Sequence, residues 1–262
     1  RSRSAAPHSL PKERTSTTPA AARMPTAPRA KVSAEDTAHT VGSSSTRSTP
    51  PVRASLLRVH FLDVGQGDCI LIDCGETEVL IDGGNNGAGD EVVSYLTPYI
   101  DGKLDYLIAT HPDADHVGGL DAVLEAFEVG EVIDSGRKSD TDTYKDYWAA
   151  VQAEGCTISY GEDRIIPLSS LAALSILETG NDWEDSNDCS VVAQLTCGNV
   201  QVLFTGDMSQ QVETKLLPLF GDIDVLKVSH HGSDTASCAE FLSVVKPEYA
   251  VISYGLDNAY HH

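Results

Sequence analysis

Three apolar runs of this sequence each end in side chains of the kind that bind metal ions. The runs are LDYLIAT (104–110), VQVLFTG and VLKVS. The residues that follow them are His111, Asp113, Asp115 and His116 after the first, Asp207 after the second, and His230 and His231 after the third. A short apolar β-rich run predicts a buried strand, and loops at strand ends are free to carry function. Three strands of one layer could direct these side chains towards one point, which restricts the possible folds.

The rest of the chain alternates β-rich and helical patterns. Further strands are predicted at 56–64, 69–74, 77–82, 131–134, within 170–207, at 222–232 and at 248–255. Helices are predicted at 90–100, 118–127, 143–155, 209–220 and 236–246. This double interleaving predicts an α/β protein in which two sheets pack together with helices outside, a four-layer αββα sandwich. The apolar stretch at 168–177 is too short for a membrane helix, so no transmembrane segment is expected in this chain.

The composition divides the chain near residue 54. Residues 1–54 are rich in Ser, Thr, Pro and Ala, which predicts a disordered tail or linker, and residues 55–262 form the predicted domain. The tail carries nine basic and three acidic residues, whereas the domain carries nine basic and thirty-six acidic residues. Such an acidic domain disfavours non-specific binding to polyanions, which counts against a nuclease. The six cysteines show no zinc-ribbon spacing and are expected to be mainly buried small side chains.

The spacing within HPDADH suits a metal site. His111 and Asp113 are two residues apart on an extended segment and can face the same way, while Asp115 and His116 turn into the following helix. Imidazole and carboxylate ligands suit zinc, manganese or iron. The carboxylate of Asp207 could bridge two ions.

Several motifs resemble those of a known family. HPDADHVGG, LFTGD and KVSHHGS resemble the metallo-β-lactamase superfamily. FLDVGQGDCILI, VLIDGG, VLKVSHHGSDTAS and the terminal DNAYHH resemble more narrowly the metallo-hydrolase domain of the ComEC competence proteins. The resemblance runs from about residue 57 to the end. It implies the four-layer αββα sandwich of that superfamily, here truncated at its C-terminus because the chain stops before the proline of an NxYxHP-like element.

The resemblance also implies roles for individual residues. His111 and Asp113 would bind a first metal ion, Asp115 and His230 a second, with Asp207 bridging and His116 also contacting the second ion. The residues implied on the substrate side or at the site edge are His231, Gly232, Ser233, Asn258 and His262. Asp115, His116 and His231 are the residues expected to act in catalysis, and Asp82 would orient the ligand histidines. Asp63 and Asp68 are expected mainly to hold a turn beneath the site.

The sequence departs from the pattern of the superfamily in two places. Asp113 stands where many members have histidine, although the ComEC-type branch uses both residues. The segment 181–190, NDWEDSNDCS, lacks a histidine that many members use for the first metal. Asn187, Asp188 or water could replace it, and an oxygen-rich first site would favour Mn²⁺ over Zn²⁺.

The functional expectation is a metal-dependent hydrolase with two divalent ions, Zn²⁺ or Mn²⁺. The resemblance implies a phosphodiesterase or nuclease that acts on DNA through a metal-bound hydroxide, outside the cell or at its surface. One alternative is a secreted hydrolase of small phosphodiesters or phosphocholine-like groups, which suits the acidic surface better. Hydrolysis of β-lactams or thioesters and a non-catalytic binding module are further alternatives. No protein partner is predictable.

Overall fold

The first of two six-stranded sheets is formed by the N-terminal half of the domain. The computed structural model describes residues 56–75 and 77–256. The strands of this sheet, in spatial order, are β1 (Arg58–Phe61), β2 (Ile70–Asp73), β3 (Glu78–Ile81), β4 (Lys103–Ala109), β5 (Glu128–Asp134) and β6 (Thr157–Tyr160). β1, β2 and β3 pair antiparallel, whereas β3 to β6 pair in parallel. The parallel strands therefore end at one edge of the sheet.

The second sheet is formed by the C-terminal half. Its strands, in spatial order, are β12 (Tyr249–Val251), β11 (Val225–Lys227), β10 (Val200–Phe204), β9 (Val192–Cys197), β8 (Ala172–Leu177) and β7 (Arg164–Pro167). β10, β11 and β12 are parallel, and the remaining neighbours are antiparallel. The loops after β10 and β11 thus leave the same edge of this sheet.

Six α-helices accompany the sheets in the part of the chain that the structure describes. They are α1 (Gly89–Leu96), α2 (Ala114–Val117), α3 (Leu120–Ala126), α4 (Asp142–Glu154), α5 (Gln210–Leu216) and α6 (Ala239–Val245). Short 3₁₀ turns occupy Asn187–Cys189, Leu217–Leu219 and Ser229–Gly232. Among the residues that the structure describes, no helix has the length and apolar character needed to cross a bilayer.

Strand β4 shows why the chain forms layers. Leu107 packs into a core shared with α1, α3 and α4, whereas its neighbour Ile108 packs into the core between the two sheets. Both side chains are fully buried. A strand buried on both faces has to be apolar at successive positions, as in LDYLIA, because both of its faces pack against other layers. A third core lies between the second sheet, α5 and α6, and contains Leu203 and Phe241. The predicted αββα sandwich is confirmed.

The element boundaries differ from the predictions in three places. Two strands, β6 and β7, were not predicted, and both are short four-residue segments at one end of their sheets. The strand predicted over 222–232 is limited to β11, because His230 and His231 adopt positive φ angles of 48° and 54° that no strand tolerates. The predicted tail at 1–54 lies outside the described residues, as do Asn258 and His262.

Glu78, at the start of β3, is expected to make stability depend on pH. Burial raises the pKa of Glu78 to about 7, from an ordinary 4.5, and the charges of Asp105, Asp73 and Asp101 add to the shift. A carboxyl whose pKa is raised on folding stabilises the protein only while it is protonated. The free energy of unfolding should therefore fall as the pH rises from about 4.5 to about 7.

The Glu78→Gln variant should lose this dependence and gain stability relative to the wild type at pH 8, but not at pH 4. Urea unfolding curves at both pH values measure the difference. Glu248→Gln, at an exposed position before β12, is the matched control. An equal stability difference between Glu78→Gln and the wild type at both pH values would contradict the assignment.

Candidate metal centre

The site forms where the ends of strands from both sheets meet. β4 leads into Thr110 and His111, β10 leads into Asp207, and β11 leads into His230 and His231. The two sheets are joined there by a hydrogen bond from the backbone N–H of Val191 to the carbonyl oxygen of Thr110, at 2.8 Å. The three apolar runs of the sequence thus bring their polar ends together, but from both sheets and not from the single layer that was expected.

Asp207 lies at the centre of a cluster of three histidines. Its Oδ2 atom is 3.3 Å from His116 Nε2, 3.2 Å from His231 Nε2 and 4.0 Å from His111 Nε2. On the other side of His231, Nε2 is 3.3 Å from Asp115 Oδ2. Two overlapping groups can therefore each hold an ion, one made of His111, His116 and Asp207 and the other of Asp115, His116 and His231.

Two buried atoms of this cluster fit bound metal ions. Among the described residues, neither His111 Nε2 nor Asp207 Oδ1 has a hydrogen-bond partner, although both are buried. A buried polar atom without a partner costs free energy of about 1–3 kcal/mol, and ligation of a metal ion would remove that cost. Asp113 Oδ2 lies 3.9 Å from His111 Nε2 on the more exposed side. The arrangement of imidazole and carboxylate donors therefore fits a two-ion centre.

Asp82 contacts the Nδ1 atom of His116, whereas Nε2 of the same ring faces Asp207. The Oδ2 atom of Asp82 lies 2.7 Å from His116 Nδ1 and accepts a hydrogen bond from the hydroxyl of Thr110, also at 2.7 Å. Its Oδ1 accepts from the backbone N–H of Thr110 at 2.8 Å. A histidine whose Nδ1 is bound to a carboxylate directs Nε2 towards the ion. Asp82 therefore contacts one of the histidines that the resemblance implies it orients, and the orienting role stays a prediction.

The two neighbouring histidines take positions different from the expected ones. His231 is buried against Asp115 and His116, whereas the side chain of His230 remains 26% exposed with Nε2 4.0 Å from Asp207 Oδ2. His231 Nδ1 lies 2.8 Å from the carbonyl oxygen of Ser253, so Nε2 faces the cluster. The geometry brings His231, not the predicted His230, into the second ion group. Ser233, predicted on the substrate side, is hydrogen-bonded to Thr235, which also lies 3.1 Å from His230 Nδ1.

The segment without the expected histidine lies against the first ion group. The hydroxyl of Ser186 donates to Asp113 Oδ1 at 3.1 Å, and Ser190 Oγ lies 3.4 Å from His111 Nδ1. Ser190 Oγ also accepts from the backbone N–H of Asp207. Asp188 points elsewhere, since its carboxylate accepts from the backbone N–H of Ser209 before α5.

Sequence reasoning missed Lys227. This side chain is fully buried beneath the site, where its ammonium group contacts the carboxylate of Asp68 closely and lies 3.5 Å from Asp207 Oδ1. The backbone N–H of Asp68 donates to the carbonyl oxygen of Asp115 at 3.1 Å, which joins the GQGD turn to α2. The role of Asp68 in holding the turn stays a prediction. The signal in the sequence was a lysine inside an otherwise apolar strand. A lysine buried in this way has to pair with a buried anion.

Gly67 allows this turn to approach the site closely. Its φ is 128°, and a Cβ atom at this position would lie 2.1 Å from the carbonyl oxygen of Asp115. Only glycine therefore permits the GQGD turn to lie against the metal-binding loop.

Comparison with known proteins agrees with this geometry. A sequence profile of the metallo-beta-lactamase superfamily matches residues 62–256. The chain belongs to the metallo-beta-lactamase superfamily. It is 30% identical to ComE operon protein 3 of Bacillus subtilis (strain 168), over 81% of this chain and 30% of that protein. It is 32% identical to recombination protein 2 of Haemophilus influenzae, over 76% of this chain and 24% of that protein.

A third relative is competence protein ComA of Neisseria gonorrhoeae, with 31% identity over 76% of this chain and 27% of that protein. The chain thus spans about a quarter to a third of the length of these relatives. The resemblance inferred from the motifs is confirmed for the superfamily and for its competence-related branch.

The candidate ligand histidines of the chain have contrasting electrostatic surroundings. Burial and the nearby charge of His116 lower the pKa of His111 to about 3, so His111 is neutral and ready to bind a cation. Burial opposes charge on His231 as well, but hydrogen bonds to Asp115 and Asp207 outweigh it and raise the pKa to about 9. The pKa of His116 is also raised, because Asp207 and Asp82 outweigh its burial.

The carboxylates of Asp207 and Asp115 are held in their charged form. Burial favours the neutral form of Asp207, but the charges of His116 and Lys227 outweigh it and keep its pKa well below the ordinary value. The pKa of Asp115 is likewise lowered, because the hydrogen bond from His231 and the charge of His116 outweigh burial. Without metal ions, protons on the histidines therefore balance these carboxylates.

Metal binding should release protons, because a histidine binds a cation through a neutral nitrogen. With the pKa of His231 at about 9, the affinity for Mn²⁺ should rise as the pH increases towards 9 and fall at lower pH. Calorimetric titration at pH 7.5 in buffers of different ionisation enthalpy counts the protons released. The His231→Gln variant should release fewer protons, and a binding enthalpy independent of the buffer would contradict this reading.

Replacement of Asp82 by asparagine should weaken metal binding by about 10–100-fold, since the partner that orients His116 loses its charge. Equilibrium dialysis with Mn²⁺ followed by metal analysis measures the change. Asp73→Asn is a matched control, because Asp73 pairs with Arg58 at the opposite end of the sheet. Equal affinities of Asp82→Asn and the wild type would show that His116 does not depend on Asp82.

Proposed function

We propose that this chain is a metal-dependent phosphodiesterase that cleaves DNA. The observation that supports it most is the meeting of Asp207 with the histidines of both ion groups at the junction of the two sheets. Sites of two divalent ions are a common solution for hydrolysis of phosphodiesters. The relatives are named for competence and recombination, which favours DNA as the substrate. By the same analogy, the proposed location is outside the cell or at its surface.

The roles of the residues follow from their positions. His111 and Asp207, with Asp113 from the more exposed side, would hold the first ion. Asp115, His116 and His231 would hold the second, with Asp207 shared between the ions; His116, which belongs to both groups, is assigned to the second ion. Bound divalent ions would supply Lewis-acid chemistry, by activating water at neutral pH and neutralising phosphate charge.

His230 is proposed to contact the substrate. Its side chain is partly exposed at the rim of the cluster, and its Nδ1 atom lies against Thr235 Oγ1. Nε2, which also lies 3.4 Å from the amide nitrogen of Asn187, is therefore the ring atom that faces the centre and can accept a hydrogen bond or a proton during the reaction. This assignment exchanges the roles that the sequence predicted for His230 and His231.

The charge of the domain favours a second candidate, hydrolysis of small phosphodiesters. Thirty-six acidic and nine basic residues follow position 54, and such a surface repels a long polyanion more than a small diester. The two candidates differ only in substrate size, since both use the same centre.

A substrate panel tests the proposal. The protein is incubated with single-stranded DNA, bis-p-nitrophenyl phosphate and a chromogenic cephalosporin, each with Mn²⁺ or Zn²⁺. Cleavage of DNA that is lost in Asp115→Ala supports the proposal. Turnover of the small diester alone supports the second candidate, and lack of turnover of either phosphodiester with either metal contradicts both.

The two neighbouring histidines should respond differently to replacement by alanine. His231→Ala should lose both metal binding and activity, because His231 closes the second ion group. His230→Ala should keep its metal content while kcat falls by about 10²–10⁴-fold, the usual contribution of a positioned acid–base group. Metal content by mass spectrometry and kcat on bis-p-nitrophenyl phosphate measure both effects. Loss of metal in His230→Ala but not in His231→Ala would restore the roles that the sequence predicted.

A further inference from the structure

The segment 186–191 lines the side of the centre where the first ion group lies. Ser186 contacts Asp113, and Ser190 contacts both His111 and the backbone of Asp207. Val191 then joins the segment to the end of β4 by its hydrogen bond to Thr110. Every proposed ligand of the first ion therefore has a neighbour in this segment.

Asn187 lies between these contacts, in the 3₁₀ turn Asn187–Cys189. Its amide nitrogen Nδ2 is 3.4 Å from His230 Nε2, which directs the other end of the amide away from that histidine. The amide oxygen Oδ1 is buried, yet among the described residues it accepts no hydrogen bond. An amide oxygen is a good acceptor and a good ligand for hard cations, so burial without a partner calls for an explanation.

The side chains of Asp188 and Cys189, in the same turn as Asn187, are bound to other groups. Asp188 Oδ1 accepts from the backbone N–H of Ser209 at 2.8 Å, and its Oδ2 lies 3.4 Å from Gln211 Nε2. The thiol of Cys189 is directed at the carbonyl oxygen of Asp185, at 3.7 Å. In this turn, only Asn187 has a side-chain atom beside the centre, the amide oxygen Oδ1, that takes part in no hydrogen bond.

An arginine fixes the approach to this turn. Arg137, which follows β5, donates from Nη1 to the carbonyl oxygen of Trp183 at 2.9 Å and from Nη2 to that of Glu184 at 3.2 Å. The indole N–H of Trp183 in turn donates to the carbonyl oxygen of Thr179. The backbone that leads into Asn187 is therefore held in place, as the placement of a metal ligand requires.

We propose that Asn187 Oδ1 is a ligand of the first metal ion, at the place where other members of the superfamily use a histidine. The inference rests on the proposed two-ion centre. With Asn187, the first ion receives one nitrogen, from His111, and oxygens from Asp113, Asp207 and the amide. A donor set dominated by oxygen suits Mn²⁺, whereas a second imidazole would suit Zn²⁺. Asn187 thus sets which metal the first site prefers.

Metal binding without substrate tests this role. Mn²⁺ is titrated into the wild type, Asn187→Ala, Asn187→His and Asp188→Asn, and free Mn²⁺ is followed by its electron paramagnetic resonance signal. Competition with Zn²⁺ gives the relative affinity for the two metals. Thermal unfolding in the presence of a chelator verifies that each variant folds. Asp188→Asn is the matched control from the same turn, with its side chain directed at the start of α5.

The wild type should bind two Mn²⁺ ions per chain. Asn187→Ala should weaken one of the two sites by at least about tenfold and leave the other unchanged, as expected when a contact to the ion is removed. Asn187→His should shift the preference of that site towards Zn²⁺, and Asp188→Asn should bind as the wild type does.

The alternative is that Asn187 only positions His230. In that case Asn187→Ala would lower kcat while its Mn²⁺ titration would coincide with that of the wild type, and this result would overturn the proposal. Because binding is measured without substrate, the outcome is separate from the test of DNA cleavage. A protein that cleaves no phosphodiester but loses one Mn²⁺ site in Asn187→Ala would keep this inference and reject the proposed function.

Discussion

The negative charge of Asp207, buried where the two sheets meet, is the constraint on which the centre depends. A buried carboxylate is costly unless opposite charges and hydrogen bonds surround it. Here His116, His231 and Lys227 approach it from one side, and its backbone N–H is bound by Ser190. These partners come from α2, from the turn after β11, from β11 itself and from the segment before β9. The charge is therefore compensated only when both sheets are complete and correctly joined.

The centre also stores strain in its backbone. Asp82, His230 and His231 all have positive φ angles, between 48° and 58°, which residues with a side chain rarely adopt. Such conformations cost on the order of 1–3 kcal/mol each and persist only where the surrounding structure enforces them. The core between the sheets and the hydrogen bonds of Asp82 to Thr110 provide that support. The positive φ angles of His230 and His231 turn the chain out of the strand direction directly after β11, where His231 is buried against Asp115.

The sequence predicted the layers well because apolar patterns depend on local burial. Strand β4 is apolar at successive positions because both of its faces are covered. The polar residues that follow it in the sequence therefore stand out and predict a metal site. Strands β6 and β7 were missed, because each has only four residues and several of them are exposed. Lys227 was missed for the opposite reason: it is a charged residue in a buried strand, and its partner Asp68 is 159 positions earlier in the chain.

The sequence by itself determined the superfamily, the two-sheet architecture and most of the residues that meet at the centre, because motif spacing and hydrophobic pattern are local properties. Only the tertiary structure decided which of the adjacent histidines His230 and His231 is buried against Asp115 and His116. The order of His230 and His231 in the chain does not predict which of them is buried. Two successive positive φ angles reverse the alternation of side-chain directions expected of a strand. The tertiary structure likewise separated Asn187 from Asp188, because the hydrogen bond of Asp188 to Ser209 depends on where α5 packs. Side-chain direction over one or two residues is thus set by contacts distant in sequence.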